Sequence, residues 1–290
     1  MTTVFLLLAL AATLVGVGLF IRAVRAMLAT IRLGQPDPTR SGQARDRWMT
    51  LLREVGGHTR LSKWGIVGAA HWFVLVDFLS LFLTLVTAYG QLFNPEFALP
   101  LIGHFAPYEV FVEFIAWATG VGIVTLIGIR QVTRLVRPGR KSRFYGSTMW
   151  QAYYVEATIL IIVFCVIALR GLEGALSGTT SWNWHHALSY PAVQAFAGSL
   201  ADSLKNAIIV IAAIKILVSM AWFAVISLNL TMGVAWHRFL AFFNIYFKRN
   251  ATGAPALGQL PVMLSNGKPI DRKSTRLNSS HMSDLVCRLL

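Results

Sequence analysis

The sequence predicts an all-α integral membrane protein: a five-transmembrane-helix bundle with its N-terminus outside and its C-terminus in the cytoplasm. Three observations predict it. Hydrophobic residues make up 56% of the chain and charged residues 13%, with a mean hydropathy of +0.60, beyond the range of soluble domains. The apolar residues gather into five runs, each near the roughly 20 residues that a helix needs to cross a bilayer core. The basic residues alternate between the connections, which sets the orientation.

The first run, Val4–Ile21, ends in Arg22 and Arg25. It lacks a basic start and a small-residue cleavage site, so it reads as an anchor rather than a signal peptide. The connection after it carries Arg32, Arg40, Arg45, Arg47, Arg53, Arg60 and Lys63, and its LGQPDPTRSGQ segment reads as a surface connector. The second run, Gly65–Tyr89, leads into Gly90–Pro107, which has no Lys or Arg. The third, Tyr108–Ile129, is followed by Arg130, Arg134, Arg137, Arg140, Lys141 and Arg143. The fourth, Tyr153–Leu169, opens onto Gly171–Leu204, again without Lys or Arg. The fifth, Ala207–Trp236, is followed by Arg238, Lys248 and Arg249. Basic connections stay in the cytoplasm, which places the chain as a multi-pass protein of the cytoplasmic (inner) membrane.

The same distribution explains the net charge of +14 without nucleic acid, because the cations sit between apolar spans rather than along one amphipathic face. Membrane strands would show about 10-residue segments of alternating polarity, which are absent. Cys165 lies in a span and Cys287 near the end of the chain, so a disulfide framework or cysteine metal cluster is not available. Residues 271–290, DRKSTRLNSSHMSDLVCRLL, read as a translated sequencing adapter. They are excluded from fold reasoning, and the gene is expected to have continued past Ile270. The domains expected are thus a five-span membrane domain over 1–250, a linker over 251–270 and the adapter-derived tail over 271–290.

Two histidines stand out among the seven. His71, in GAAHWFVLVDFL, lies about six residues or about 9 Å into the second run. His237, in TMGVAWHRFLAF, closes the fifth. The orientation puts both near the cytoplasmic face, on different helices. Two imidazoles so placed can hold a haem iron from both sides. The bland alternative is that each hydrogen-bonds a neighbouring helix. His58, after Gly56 and Gly57, reads as a surface residue or as an alternative ligand. Arg60 and Arg238 are candidate contacts for haem propionates, since guanidinium suits carboxylate. His104, His185 and His186 read as interfacial residues beside aromatic anchors. Asp77, Glu113 and Lys215 fall in the outer halves of their runs, most simply as structural pairs, otherwise as proton carriers or the lining of a quinone pocket.

GHTRLSKWGIVGAAHWFVLVDF, LTLVTAYGQLFNP, LPLIGHFAPYE and TMGVAWHRFLAFFNIYFKRN resemble the N-terminal membrane domain of actinobacterial iron–sulfur oxidoreductases, whose cytochrome part is similar to the nitrate reductase gamma subunit. The resemblance covers residues 1 to 270, and PVMLSNGKPI looks like the approach to an iron–sulfur domain that this chain does not contain. That family holds two b haems between its second and fifth helices. By position, His71 and His237 match the cytoplasmic-side pair. Leu81 and Ser219 stand where the other pair would be, so the expectation is one haem b here, with two as the alternative. It also implies a route: electrons from an electron-transfer flavoprotein, through iron–sulfur clusters in the missing part, past the haem and into menaquinone, in fatty acid oxidation. The chain would be a fragment of a quinone-linked oxidoreductase, catalytically incomplete alone. Two other classes remain open: a heterodisulfide- or sulfite-reductase-like membrane cytochrome, and a non-redox anchor or transporter. P-loop, dinucleotide glycine and HExxH motifs are absent.

Overall fold

The computed structural model describes residues 2–136, 148–254, 264–265 and 268–269. The adapter-like tail, most of the 251–270 linker and the basic stretch from Arg137 to Arg143 lie outside the described residues. Apart from a two-residue antiparallel pair, Leu264–Ser265 with Lys268–Pro269, the described chain is helical.

The described residues form eight α-helices in order: α1 (Thr2–Ile31), α2 (Ala44–Leu51), α3 (Ile66–Gln91), α4 (Ala106–Val136), α5 (Met149–Leu176), α6 (Tyr190–Phe196), α7 (Ala201–Leu228) and α8 (Gly233–Tyr246). Four of them, α1, α4, α5 and α7, are long and apolar enough to cross a membrane. α3 makes a fifth if its halves Ile66–Ser80 and Phe82–Gln91, inclined by 42°, count as one span. Large apolar side chains such as Leu14 on α1, Val121 on α4 and Phe164 on α5 point outward. Such faces suit a lipid surrounding and would be costly in water.

Local signals set several boundaries. α5 begins at a capping box: the Gln151 side chain accepts from the Thr148 backbone N–H at 3.1 Å, and the Thr148 side chain caps in return. The long helices run past the predicted limits because their flanking polar residues, such as Arg22 and Arg25 on α1, still favour helix.

The fifth predicted run departs most. Ala207–Trp236 is not one helix: α7 stops at Leu228 and α8 starts at Gly233. Asn229 leaves the helical region at φ −122° and ψ 73°, and its Nδ2 donates to the Val225 carbonyl at 2.8 Å. An Asn that bonds its own preceding turn is a helix terminator, and Gly233 follows close behind. His237 therefore belongs to α8, a separate element.

The core has two main parts. One joins α1, α3, α5 and α7 around Ala9, Ala88, Leu169, Ile208, Ala212 and Ile216. The other joins α1, α3, α4, α5, α7 and α8 around Ala23, Val74, Ile123, Val155, Trp222 and Trp236. α1 rides closely on α7 at Gly16. A Cβ there would meet the Met220 carbonyl oxygen at 3.0 Å and the Met220 Cβ at 3.3 Å. Small residues permit such close helix approach in membranes. Gly16→Leu should force α1 outward and cost about 1–3 kcal/mol, the range for overpacking. Tryptophan fluorescence on heating in detergent reads this, and an unshifted midpoint would mean that α1 does not rest on α7 at Gly16.

The first connection is more than a surface connector. Arg47, 2% exposed, donates to four backbone carbonyls: Gly42 at 2.6 Å, Tyr246 at 2.9 Å, Lys248 at 2.7 Å and Thr39 at 3.2 Å. Thr50 Oγ1 donates to the Ala251 carbonyl at 2.7 Å, and Lys248 pairs with Glu54. These bonds tie α2 and the turn after it to the end of α8. Read from sequence, Arg47 is only one of seven basic residues in a connection.

Candidate functional site

Two polar clusters occupy the two ends of the bundle. The first gathers three imidazoles from three places in the chain. The His71 and His237 ring centres lie 6.0 Å apart with planes inclined at 47°. The His58 and His71 ring centres lie 5.3 Å apart, with Nε2 of His58 3.1 Å from Nδ1 of His71. His237 Nδ1 is 3.2 Å from the Gly233 carbonyl oxygen.

Each ring has its own support. His71 projects from the second turn of α3. His237 is set by α8, whose Trp236 is buried and donates from Nε1 to the Ile226 carbonyl at 3.0 Å. Trp236 also stacks on Phe20 of α1, with ring centres 5.7 Å apart at 5°. Phe239 of α8 meets Phe20, Phe78 and Trp222, so three helices grip α8 through aromatic faces. His58 is held by the turn before α3. Its carbonyl accepts from the Ser62 backbone N–H at 2.8 Å, and Trp72 Nε1 donates to the Gly56 carbonyl at 2.9 Å.

The two candidate arginines part company. Arg238 lies among the aromatics, its Cζ 4.9 Å from the Phe78 ring centre and 5.1 Å from that of Trp222. Cations favour such faces. Arg60 stands away from the rings at the surface, bonded to Glu54 at 3.1 Å.

The fit of this donor set to a haem iron can be judged from spacing. An iron–imidazole bond of about 2 Å on each side puts two axial ring centres about 6 Å apart. The 6.0 Å between His71 and His237 meets that requirement, and the rings come from separate elements. Among the described residues, no group of three or more His, Cys, Asp or Glu side chains is arranged to hold a bare metal ion. Leu81 and Ser219 belong to α3 and α7, and Ser219 Oγ donates to the Lys215 carbonyl within its own helix at 2.8 Å.

The second cluster was not legible in the sequence. Arg170, at the last turns of α5, donates to Glu113 at 3.0 Å and to Glu173 at 2.8 Å, and it pairs with Glu109 at 3.3 Å. It also donates to the His185 carbonyl. Glu113 accepts from the backbone N–H groups of Leu188 and Ser189 and from Ser189 Oγ at 2.6 Å. His185 Nδ1 meets Glu109 at 2.6 Å, and Gln91 donates to Glu173 at 2.5 Å. Beside this network lies a cavity of about 580 Å³ that reaches Thr84 and Lys215. Asp77, Glu113 and Lys215 do not share one pairing: Glu113 belongs to Arg170, and Lys215 Nζ donates to the Thr84 carbonyl at 3.0 Å.

His185 and His186 are therefore more than interfacial decoration. Burial, and then the neighbouring Arg170 cation, push the His186 imidazole down to about 4. The unfolded chain takes up a proton there near 6.5, whereas the folded chain does not until about 4. Its contribution to stability is full above about 6.5 and falls as pH drops toward 4. His186→Gln should flatten part of the loss of thermal stability between pH 7 and 4. Identical pH slopes for the two proteins would refute this.

Comparison of the chain with protein families, curated proteins and solved structures finds no match in any of the three.

Proposed function

We propose that the chain is a membrane haem-b electron-transfer domain in which His71 and His237 are the axial ligands. The observation that carries this reading is the pair of imidazoles, one on α3 and one on α8, with ring centres 6.0 Å apart. A bis-imidazole haem supplies reversible one-electron chemistry whose potential is set by those ligands and their surroundings. The chain contributes the rest. α3 and α8 fix the ring separation. The aromatic cluster of Phe20, Phe78, Trp222, Trp236 and Phe239 keeps water away from it. Arg238 supplies a cation held on aromatic faces beside His237, the natural partner of a propionate; Arg60 already has Glu54.

The basic first connection lies at the histidine end, and by the positive-inside rule that end faces the cytoplasm, with the N-terminus outside. A cytoplasmic-side haem suits electrons that arrive from a soluble or iron–sulfur donor and leave to a quinone in the bilayer. The sequence resemblance supplies the remainder: an electron-transfer flavoprotein as donor, iron–sulfur clusters in a following domain and menaquinone as acceptor.

The test is a dithionite-reduced minus oxidised spectrum of the chain in membranes, with a pyridine haemochrome assay. A b-type α-band at about one haem per chain is expected. Folded protein without haem would overturn the reading and leave an anchor or transporter.

A further inference from the structure

We propose that His58 is a positioning residue: it fixes the tautomer of His71 so that the Nε2 lone pair faces the ligand position. The inference rests on the haem reading above and deepens it.

The argument is a chain of donors and acceptors. A backbone carbonyl can only accept, so the 2.9 Å contact between His58 Nδ1 and the Val55 carbonyl places a proton on His58 Nδ1. A neutral His58 then offers only a lone pair at Nε2. That nitrogen lies 3.1 Å from His71 Nδ1, so His71 must donate from Nδ1. A neutral His71 is left with its lone pair at Nε2. By the same rule, the Gly233 carbonyl takes the Nδ1 proton of His237 and makes its Nε2 the basic nitrogen. Three carbonyl and imidazole contacts thus leave both rings of the 6.0 Å pair with Nε2 as the electron-donating atom.

The backbone at His58 supports a dedicated role. Its φ is +48°, in the left-handed region that a non-glycine residue adopts at a cost. Gly56 and Gly57 precede it, where glycine would take that conformation freely. The conformation instead carries the ring back over α3, and the bonds from Ser62 and Trp72 keep the turn in place.

Ligating histidines are tuned through the other ring nitrogen, and an acceptor there makes the ligand more basic. An acceptor at Nδ1 of His71 favours the oxidised iron, so its loss should raise the potential. Two variants separate positioning from mere structure. His58→Gly keeps the positive φ and removes the acceptor. His58→Gln keeps a side-chain amide oxygen at about the reach of the lost Nε2, so it can accept from His71.

The experiment is a redox titration and haem quantitation of the full chain in detergent, as wild type and both variants. His58→Gly should raise the midpoint potential and weaken haem retention by about 10- to 100-fold, as outer-shell losses do. His58→Gln should return both toward wild type. Unchanged potentials in both variants, or equal shifts in the two, would overturn the proposal. If wild type holds no haem, the haem reading fails first. The proposal is then decided by ¹⁵N-histidine NMR of the haem-free chain, with His71 assigned through His71→Gln. A His71 proton on Nδ1 in wild type that moves to Nε2 in His58→Gly upholds the positioning role, and an unchanged tautomer removes it.

Discussion

His71→Ala and His237→Ala should each abolish the b-type α-band, with haem retention falling more than about 100-fold, because changes to outer partners alone cost about 10- to 100-fold. The two losses should be alike although the residues sit on different elements. Two residues that would hold one haem between them fail as a unit, because neither imidazole alone would supply both sides. The Ser219→Ala and His104→Ala proteins should keep the band, since Ser219 bonds within its own helix. The spectrum of membranes and a haem-to-protein ratio read all four. A band that survives in either ligand variant would remove the pair as the binding site. Two haems per wild-type chain would mean that a second pair exists without Leu81 and Ser219.

Arg170→Met should be the most destabilising single change at the other end, about 3–5 kcal/mol, the range for breaking a buried pair from one side. Glu113 is 2% exposed, and with Arg170 gone it stays buried beside Glu109 and Glu173. The Leu188 and Ser189 donors still hydrogen-bond Glu113, but they do not balance its charge. The double variant Arg170→Met with Glu113→Gln should recover part of the loss. Unfolding in detergent followed by tryptophan fluorescence checks both. A Met variant as stable as wild type would show that the carboxylates neutralise themselves by taking up protons.

How much of this could be read from the chain depends on the range of the signal. His71 was legible because a polar ring inside an apolar run is conspicuous, and its depth follows from helical rise. His237 was legible as a residue but not in its setting: the apolar pattern continues across Asn229 to Met232, and hydropathy does not register the terminator within it. Arg170 was invisible for another reason. It sits at the edge of a run, where an arginine usually marks the interface, and its partners Glu109 and Glu113 lie more than fifty residues earlier on α4. Arg47 was hidden among other cations whose collective role, orientation, was read instead. The contact of His58 with His71 needed coordinates, because neither a left-handed φ nor a ring-to-ring bond leaves a periodic trace.

The bonds of Arg47, Thr50 and Glu54 to residues 246–251 work as a mechanical clamp, and its position matters more than its strength. Of the three imidazoles, one hangs from the turn just after this clamp and another from the helix just before it. The third is borne by α3, anchored in the bundle. The described residues run on from the clamp to Ala254. A pull or twist delivered there would load His58 and His237 from the same side, against the aromatic grip of α1, α3 and α7 on α8. The 6.0 Å gap and the 3.1 Å bond would then change in concert, like two readings of one strain gauge.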